Sequence, residues 1–196
     1  MPAASFQVRP GREGDRRPLA ELFAAVAEER DGIATEPPVD LDARAASWDL
    51  DWIFVATAAD DVIGLVHLDP SQFGYCDIAL AVMREWRGRR VGTALFETGV
   101  ASARDRGCHK LCLSVFPHNT GAIALYRKLG FVEEGRRVRQ FRRQSGEFWD
   151  SIEMGLQLWA QDQDLRAARQ FPAAKNAQAA ATNPTSITAQ LSKTPP

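Results

Sequence analysis

The sequence has little lysine, little cysteine and no long apolar run. Only four of its 24 basic residues are lysines, and 25 acidic residues bring the net charge to −1. This balance argues against a nucleic-acid-binding arm or an acidic tail. The apolar stretches are far shorter than the roughly 18 residues needed to span a bilayer. The first ten residues show no charged head followed by an apolar core, so we expect no signal peptide and no membrane partner.

The three cysteines are Cys76, Cys108 and Cys112. An odd number without framework spacing argues against a secreted disulfide scaffold, and we expect a reducing, cytoplasmic location. Cys108 and Cys112 with His109 resemble half of a zinc site. The remaining histidines are isolated along the chain, so we expect no metal.

The composition changes near residue 161. Residues 161–196 are rich in Ala, Gln, Thr, Ser, Asn and Pro, and such a segment buries too little apolar surface to offset the entropy of ordering. We expect a folded α/β domain over residues 1–160 and a flexible tail over 161–196, whose first dozen residues could extend a helix.

Strands and helices alternate within the domain. Apolar alternation and buried runs predict strands over residues 6–9, 52–57, 62–68, 77–82, 110–115, 138–141 and 148–158. Helical periodicity and caps predict helices from Asp15 to about residue 30, from Asp40 to Ser47, over 92–106, and from Asn119 to Leu129.

The segment between the fourth strand and the helix over 92–106 has the residues of an anion-binding turn. It reads Arg87-Gly88-Arg89-Arg90-Val91-Gly92. Unpaired N–H groups at a helix start attract a phosphate, and Gly88 and Gly92 let a ligand approach the backbone closely. The P-loop and dinucleotide motifs are both absent, which argues against ATP and NAD. The plain alternative is a glycine turn with solvated arginines.

Two motifs together resemble the GCN5-related N-acetyltransferase (GNAT) superfamily. Arg87 and Gly92 fill the first and last positions of the family's phosphate motif [Q/R]-x-x-G-x-[G/A], whereas Arg90 stands where the family prefers Gly. The second motif is met by Asn119, Ala122, Tyr126, Leu129, Gly130 and Phe131. Residues 148–156 also resemble the family's closing strand.

The resemblance implies an α/β (α+β) fold with a mixed, mostly antiparallel sheet, a splayed parallel strand pair and flanking helices. Acetyl-CoA would lie between strands 77–82 and 110–115 as the cosubstrate. The residues implied in binding it are Leu80, Ala81, Val82, Arg87, Gly88, Arg89, Arg90, Val91, Gly92, Thr93 and Asn119. The alternatives are core strand for Leu80 and Val82 and a helix N-cap for Asn119.

The implied reaction is direct attack of an amine on the thioester. An amine with a pKa near 10.4 is neutral in only about one part in a thousand at pH 7, so a base is needed. Tyr126 matches the family's proton donor to the leaving thiolate, with a plain core aromatic as the alternative. Asp77 is our candidate base. The competing candidates are Glu36, Glu133, Glu134, His118 and Asp150.

Residues 136–143 hold five arginines. A solvated strand edge is one interpretation, and attraction of an acidic acceptor is the other. The loop over residues 29–40 lies where the family shapes its acceptor pocket.

The resemblance therefore predicts an N-acetyltransferase that acts on a primary amine, first of a small molecule and second of a protein N-terminus or lysine. The rival hypotheses are a catalytically silent CoA-binding module and an arginine-driven nucleic-acid binder. The partners that we expect are acetyl-CoA and an amine acceptor, with no nucleic acid and with a homodimer as the candidate assembly.

Overall fold

The computed structural model describes residues 5–159, which form one seven-stranded sheet with helices on both faces. The strands are β1 (Gln7–Pro10), β2 (Ile53–Ala58), β3 (Asp61–Pro70), β4 (Tyr75–Val82), β5 (Lys110–Val115), β6 (Val132–Arg142) and β7 (Phe148–Gln157). Their order is β1-β2-β3-β4-β5-β7-β6. Every neighbouring pair is antiparallel except β4 and β5. The predicted fold class is confirmed.

Four α-helices flank the sheet within the described residues. They are α1 (Arg16–Glu28), α2 (Leu41–Ala46), α3 (Val91–Asp105) and α4 (Thr120–Lys128). Asp40 caps α2 as predicted, because its carboxylate accepts hydrogen bonds from the N–H groups of Asp42 and Ala43. The predicted capping of α1 by Asp15 is wrong in its detail. The Asp15 carboxylate instead accepts from the Arg9 guanidinium at 2.7 and 2.9 Å and from the Arg12 N–H.

Each face of the sheet has its own hydrophobic core. On one face α3 and α4 pack through Leu95, Phe96 and Ile123 against the even-numbered side chains of β3 and β4. On the other face α1 packs through Leu19, Leu22, Phe23 and Val26. The second core is shorter. It ends at Leu65 on β3 and at Ala81 on β4, so that His67, Asp69 and Asp77 on the same face lie outside it.

The parallel pair β4–β5 separates part of the way along its length. The two strands pair only at Tyr75–Lys110, Cys76–Leu111 and Asp77–Cys112. From Ile78 onward β4 keeps its pairing with β3 through Val82, but within residues 5–159 no strand pairs with its other side. The divergence opens a cleft at the centre of the sheet, as the sequence resemblance predicted.

The sixth strand is longer than predicted. The expected strand covered residues 138–141, whereas β6 runs from Val132 to Arg142 along one edge of the sheet and is irregular between Arg137 and Phe141. Its residues are almost all exposed, so the alternation that marks a half-buried strand is missing from the sequence. The predicted tail over 161–196 lies outside the described residues.

Candidate active site

A cavity of about 800 Å³ fills the gap between β4 and β5. Its walls come from β4, β5, the starts of α3 and α4, and the loop after α1. Pockets of this size hold small molecules and cofactors, and they often form where a sheet splits. Every candidate cofactor-binding residue lines it except Arg89 and Val91.

The start of α3 presents a run of free N–H groups at one end of this cavity. Helix geometry leaves the N–H groups of Val91, Gly92 and Thr93 without partners inside the helix, and no side chain of the described region caps them. Those of Gly88, Arg89 and Arg90 find no acceptor either within residues 5–159. Because the helix dipole adds positive potential here, the turn is suited to an anion such as a pyrophosphate.

The shape of the turn depends on two residues with left-handed backbone. Gly88 has φ +73° and Arg90 has φ +67°. Side chains of L residues rarely adopt a left-handed backbone, whereas glycine adopts it readily. This explains why glycine would be preferred at the position of Arg90. Arg90 takes the glycine-like backbone and leaves its side chain exposed.

The side chain of Arg87 is held by the protein itself. Its Nε donates to the Val82 carbonyl at 3.0 Å, and its two Nη atoms donate to Glu29 at 2.7 and 2.8 Å. Burial of the Glu29 carboxyl opposes ionisation, but the hydrogen bonds and charges of Arg87 and Arg84 outweigh it and lower the pKa of Glu29. The sequence reading missed Glu29. Its only signal was its position in the loop over 29–40.

The backbone of β4 offers hydrogen-bonding groups to the gap. Met83 N–H donates to the Ile63 carbonyl at 3.0 Å. Because antiparallel strands alternate the direction of their backbone groups, those of Ala81 point toward β3 and those of Leu80 and Val82 point toward the cleft. The Val82 carbonyl is taken by Arg87, which leaves the Val82 N–H and both groups of Leu80 facing the cavity.

Tyr126 on α4 lines the cavity opposite β4. Its ring packs against Phe96 and Phe131, with centroids 5.7 and 6.0 Å apart. Its hydroxyl has no hydrogen-bond partner among the described residues, and burial raises the pKa of Tyr126 to about 12. The phenol is therefore protonated at neutral pH and is free to donate.

Asp77 lines the cavity at the point where β4 and β5 part. Burial, followed by the charges of Asp69 and Glu153, raises the pKa of Asp77 to about 6, while Arg137 opposes the shift. Its carboxylate has no ion pair or hydrogen bond to any residue that the structure describes. A carboxylate with a pKa near the working pH is suited to accept a proton.

Most competing base candidates are engaged elsewhere. Glu134 pairs with Lys110, and Asp150 pairs with Arg136. Glu36 accepts from the Gln144 N–H, and Glu133 lies beside Arg127. None of these four lines the cavity.

Two polar residues at the start of α4 do line the cavity. His118 bonds through Nε2 to the Asp31 carbonyl at 2.9 Å. The side-chain oxygen of Asn119 accepts from the Ala122 N–H at 3.2 Å, so Asn119 caps α4 and reaches the cavity at the same time.

The loop after α1 forms one wall of the cavity and is fastened to the β6–β7 hairpin. The Arg143 side chain is 4% exposed. It donates to the Ala34 carbonyl at 2.8 Å and lies over the Trp149 ring at 4.3 Å. Gln144 N–H donates to Glu36 at 2.8 Å. These contacts hold residues 31–34 against the cavity. The loop over residues 29–40 was expected to shape the acceptor pocket, and these four residues of it line the cavity.

The other arginines of the run over 136–143 lie away from the cavity. Arg136 pairs with Asp150, Arg137 pairs with Glu153, and Arg139 lies over Phe148. None of the five lines the cavity walls. The structure therefore supports a charged strand edge and does not support attraction of an acidic acceptor by these residues.

The described part of the chain contains no cluster of three or more metal-ligating side chains. No helix of that region is long and apolar enough to cross a membrane.

The comparisons with known proteins agree with this geometry. The model of the acetyltransferase (GNAT) family matches residues 19–131. N-alpha-acetyltransferase 30 of Schizosaccharomyces pombe is 30% identical over 94 residues, which cover 45% of this chain and only 62% of that relative. An L-methionine sulfoximine/L-methionine sulfone acetyltransferase of Pseudomonas aeruginosa is 27% identical over 165 residues, covering 79% of this chain and 95% of the relative.

Among solved structures, yncA from Salmonella typhimurium, solved with its cofactor acetyl-CoA, superposes with a TM-score of 0.73 at 19% identity, covering 81% of this chain and 97% of that one. This likeness shows the fold.

The family model matches more than half of the chain, so the chain belongs to the acetyltransferase (GNAT) family. It is therefore an acyltransferase by family, in agreement with the sequence resemblance. The anion-binding turn, the split sheet and the cavity-facing tyrosine are the local features that fit this chemistry.

Proposed function

We propose that the protein transfers the acetyl group of acetyl-CoA to the primary amine of a small molecule. The observation that carries the proposal is that the two ends of one cavity differ in their chemistry. The N–H groups of Gly88 through Thr93 lie at one end, and the Asp77 carboxylate, which has no partner among residues 5–159, lies at the other. Such an arrangement suits an anionic donor and an amine acceptor that meet in the split of the sheet.

The residues of the turn fit the donor. Residues 88–93 would bind the pyrophosphate through backbone N–H groups. Arg89 or Arg90 would reach the phosphate on the ribose of the cofactor. A Cβ added at Gly88 would meet nothing within 4 Å, which leaves open space beside these groups. Arg87 enters the proposal as a positioning residue, because its side chain ties the turn to α1 and to β4. Leu80 and Val82 would pair with the extended arm of the ligand.

Acetyl-CoA supplies the thioester carbon that the amine attacks. Asp77 takes the proton that the ammonium must lose, and Tyr126 holds a proton at its hydroxyl for the departing sulfur. The Leu80 and Val82 backbone groups face the place where negative charge develops on the carbonyl oxygen, and the N–H groups among them stabilise that charge. The base and the acid thus come from opposite walls of the cavity.

The fastened loop supports a small acceptor. Residues 31–34 cover the acceptor end and are held there by Arg143 and His118. An acceptor must fit beneath this wall, which favours a compact amine over a folded protein. The Pseudomonas relative, whose name describes acetylation of small molecules, covers most of both chains and supports the same choice.

The test is release of free CoA thiol from acetyl-CoA with a panel of small amines and a panel of peptides. We expect small amines to be acetylated. The Tyr126→Phe variant should bind acetyl-CoA normally but lose about a hundredfold or more in kcat, because only the proton donor is removed. Faster turnover of peptides would support a protein acetyltransferase instead. Acetyl-CoA binding without turnover of either panel would support the silent CoA-binding module.

A further inference from the structure

The charges that line the cavity are separated along its length. The two lining arginines, Arg87 and Arg90, lie at the phosphate end. The carboxylates of Asp31, Asp69 and Asp77 lie toward the acceptor end. Within the described chain, Arg143 approaches this end, but it lies behind the loop wall and donates to the Ala34 carbonyl. The acceptor end thus has carboxylates facing the cavity and no arginine or lysine among its lining residues.

Asp69 and Asp77 form a pair on one face of the sheet. They are register partners across β3 and β4, so their side chains project side by side. Neither carboxylate has an ion pair or a hydrogen bond among the described residues. Burial and the charge of Asp49 raise the pKa of Asp69, and burial and Asp69 raise that of Asp77. The charge of Arg137 partly offsets the shift at Asp77, whereas no cation of the described chain offsets the shift at Asp69.

His67 is an independent sign of a ligand in the same place. It lies two residues before Asp69 on the same face of β3, lines the cavity, and is only 9% exposed. Neither ring nitrogen has a hydrogen-bond partner within residues 5–159, although a buried polar side chain normally finds one. Burial and the nearby Arg44 lower the pKa of His67 to about 4, so the imidazole is neutral at pH 7. It offers a hydrogen bond without a positive charge.

The wall opposite these polar groups is apolar. It is built from Phe116 and Phe141, whose ring centroids are 5.3 Å apart, and from Ile33 of the fastened loop. Phe116 and Phe141 are buried in the chain, and their rings bound the cavity. A ligand at this end therefore meets carboxylates on one side and aromatic rings on the other.

We propose that the acceptor is a small primary amine that carries an apolar substituent and has no carboxylate. Its ammonium lies against Asp69 and Asp77, its apolar group lies on Phe116 and Phe141, and His67 hydrogen-bonds to a neutral polar atom. A carboxylate beside the amine would meet the two aspartates. The cations near this end, Arg44 beside His67 and Arg137 beside Asp77, do not line the cavity. The proposal rests on the proposed function, since it names the acceptor class of the same site.

The experiment compares molecules that differ in the carboxylate alone. The first pair is 2-phenylethylamine against phenylalanine, and the second is isoamylamine against leucine. We expect kcat/KM to be roughly tenfold or more higher for the amine of each pair, because like charges placed side by side are strongly unfavourable. Ethanolamine, which has no apolar group, should react more slowly than either amine.

Calorimetry in the presence of CoA gives a second readout that does not depend on turnover. The ratio of Kd values for phenylalanine and 2-phenylethylamine should shrink in Asp69→Asn, because one carboxylate is neutralised. Phe141→Ala should instead reduce the preference for 2-phenylethylamine over ethanolamine and leave the carboxylate effect in place.

The outcomes separate this inference from the proposed function. Turnover of the amino acids equal to or faster than that of their amines overturns the inference and leaves the acetyltransferase proposal standing. A Kd ratio unchanged in Asp69→Asn likewise overturns it. Failure of every amine and amino acid to react overturns the proposed function, and the inference with it.

Discussion

Glu29, just beyond the end of α1, holds both Nη atoms of Arg87 through hydrogen bonds of 2.7 and 2.8 Å. The third guanidinium nitrogen donates to the Val82 carbonyl at the end of β4. One arginine thus connects α1, the end of β4 and the turn that opens α3. The sequence resemblance includes Arg87 among the cofactor-binding residues. In the structure Arg87 lines the cavity while its guanidinium is held by Val82 and Glu29.

We expect Glu29→Gln to weaken acetyl-CoA binding about tenfold, because the bidentate charge-assisted pair that fixes Arg87 is lost. Calorimetric titration with acetyl-CoA measures the effect. Glu28→Gln is the matched control, since Glu28 is the preceding residue and is exposed. Equal affinity in the two variants would show that Arg87 does not need Glu29 to position the turn.

We expect kcat/KM for the amine to fall as the pH drops through about 6, because Asp77 must be ionised to accept a proton and its pKa is raised to about 6. A pH–rate profile measures this fall as its acid limb. Asp69→Asn removes a neighbouring negative charge, so the limb should move to lower pH. A profile that stays flat between pH 5 and 8, or a limb that does not move in Asp69→Asn, would contradict the assignment of Asp77 as base.

We expect Asp77→Asn to stabilise the fold at pH 8 while it removes activity. The folded-state pKa of Asp77 is raised, so its stabilising contribution is present at low pH and is lost as the pH rises from about 4 through about 6. The gain in free energy of unfolding should be about 1 kcal/mol after solvent screening is allowed for. Urea unfolding at pH 8 and pH 4 measures it, with a gain expected only at pH 8. A loss of stability at pH 8 would mean that the carboxylate is satisfied in the folded protein.

We expect Arg143→Met to raise the KM for the amine about tenfold and to leave acetyl-CoA affinity unchanged. The variant loses the bond to the Ala34 carbonyl and the ion pair with Glu36, so the wall over residues 31–34 is no longer fastened. Steady-state kinetics with each substrate varied in turn measures the split. Arg142→Met is the control, because Arg142 is adjacent and exposed. An equal change in the KM for the amine in both variants would contradict the proposed role of the loop.

The central part of the fold was predictable because its signals are local. The buried run before the turn, the glycines of the turn and the caps Asp40 and Asn119 each specify structure within a few residues. The boundaries of β5 agree with the prediction because its apolar residues alternate and a glycine precedes it. The turn before α3 was predictable for the same reason, since a helix start is a local feature.

The acceptor end could not be predicted because its residues meet only through the sheet. Asp69 and Asp77 become neighbours through the β3–β4 register. His67 is a candidate ligand contact only because it lines the cavity, and no local sequence pattern predicts that position. Arg143 belongs to a run of surface arginines in the sequence, yet it is the one that folds inward. Strand β6 was mostly missed because an edge strand with nearly every side chain exposed has no apolar period.

We propose that the turn over residues 88–93 binds acetyl-CoA, and calorimetric titration of three proteins would test this. The wild type should bind acetyl-CoA in the micromolar range. Gly92→Glu should abolish binding, because it places a negative charge beside the free N–H groups. Gly92→Ala should bind nearly as the wild type does, since a Cβ there makes only ordinary contacts of 3.4 Å or more with Leu80, Leu125 and Val82. No binding by folded wild type, or equal binding by Gly92→Glu, would contradict the account.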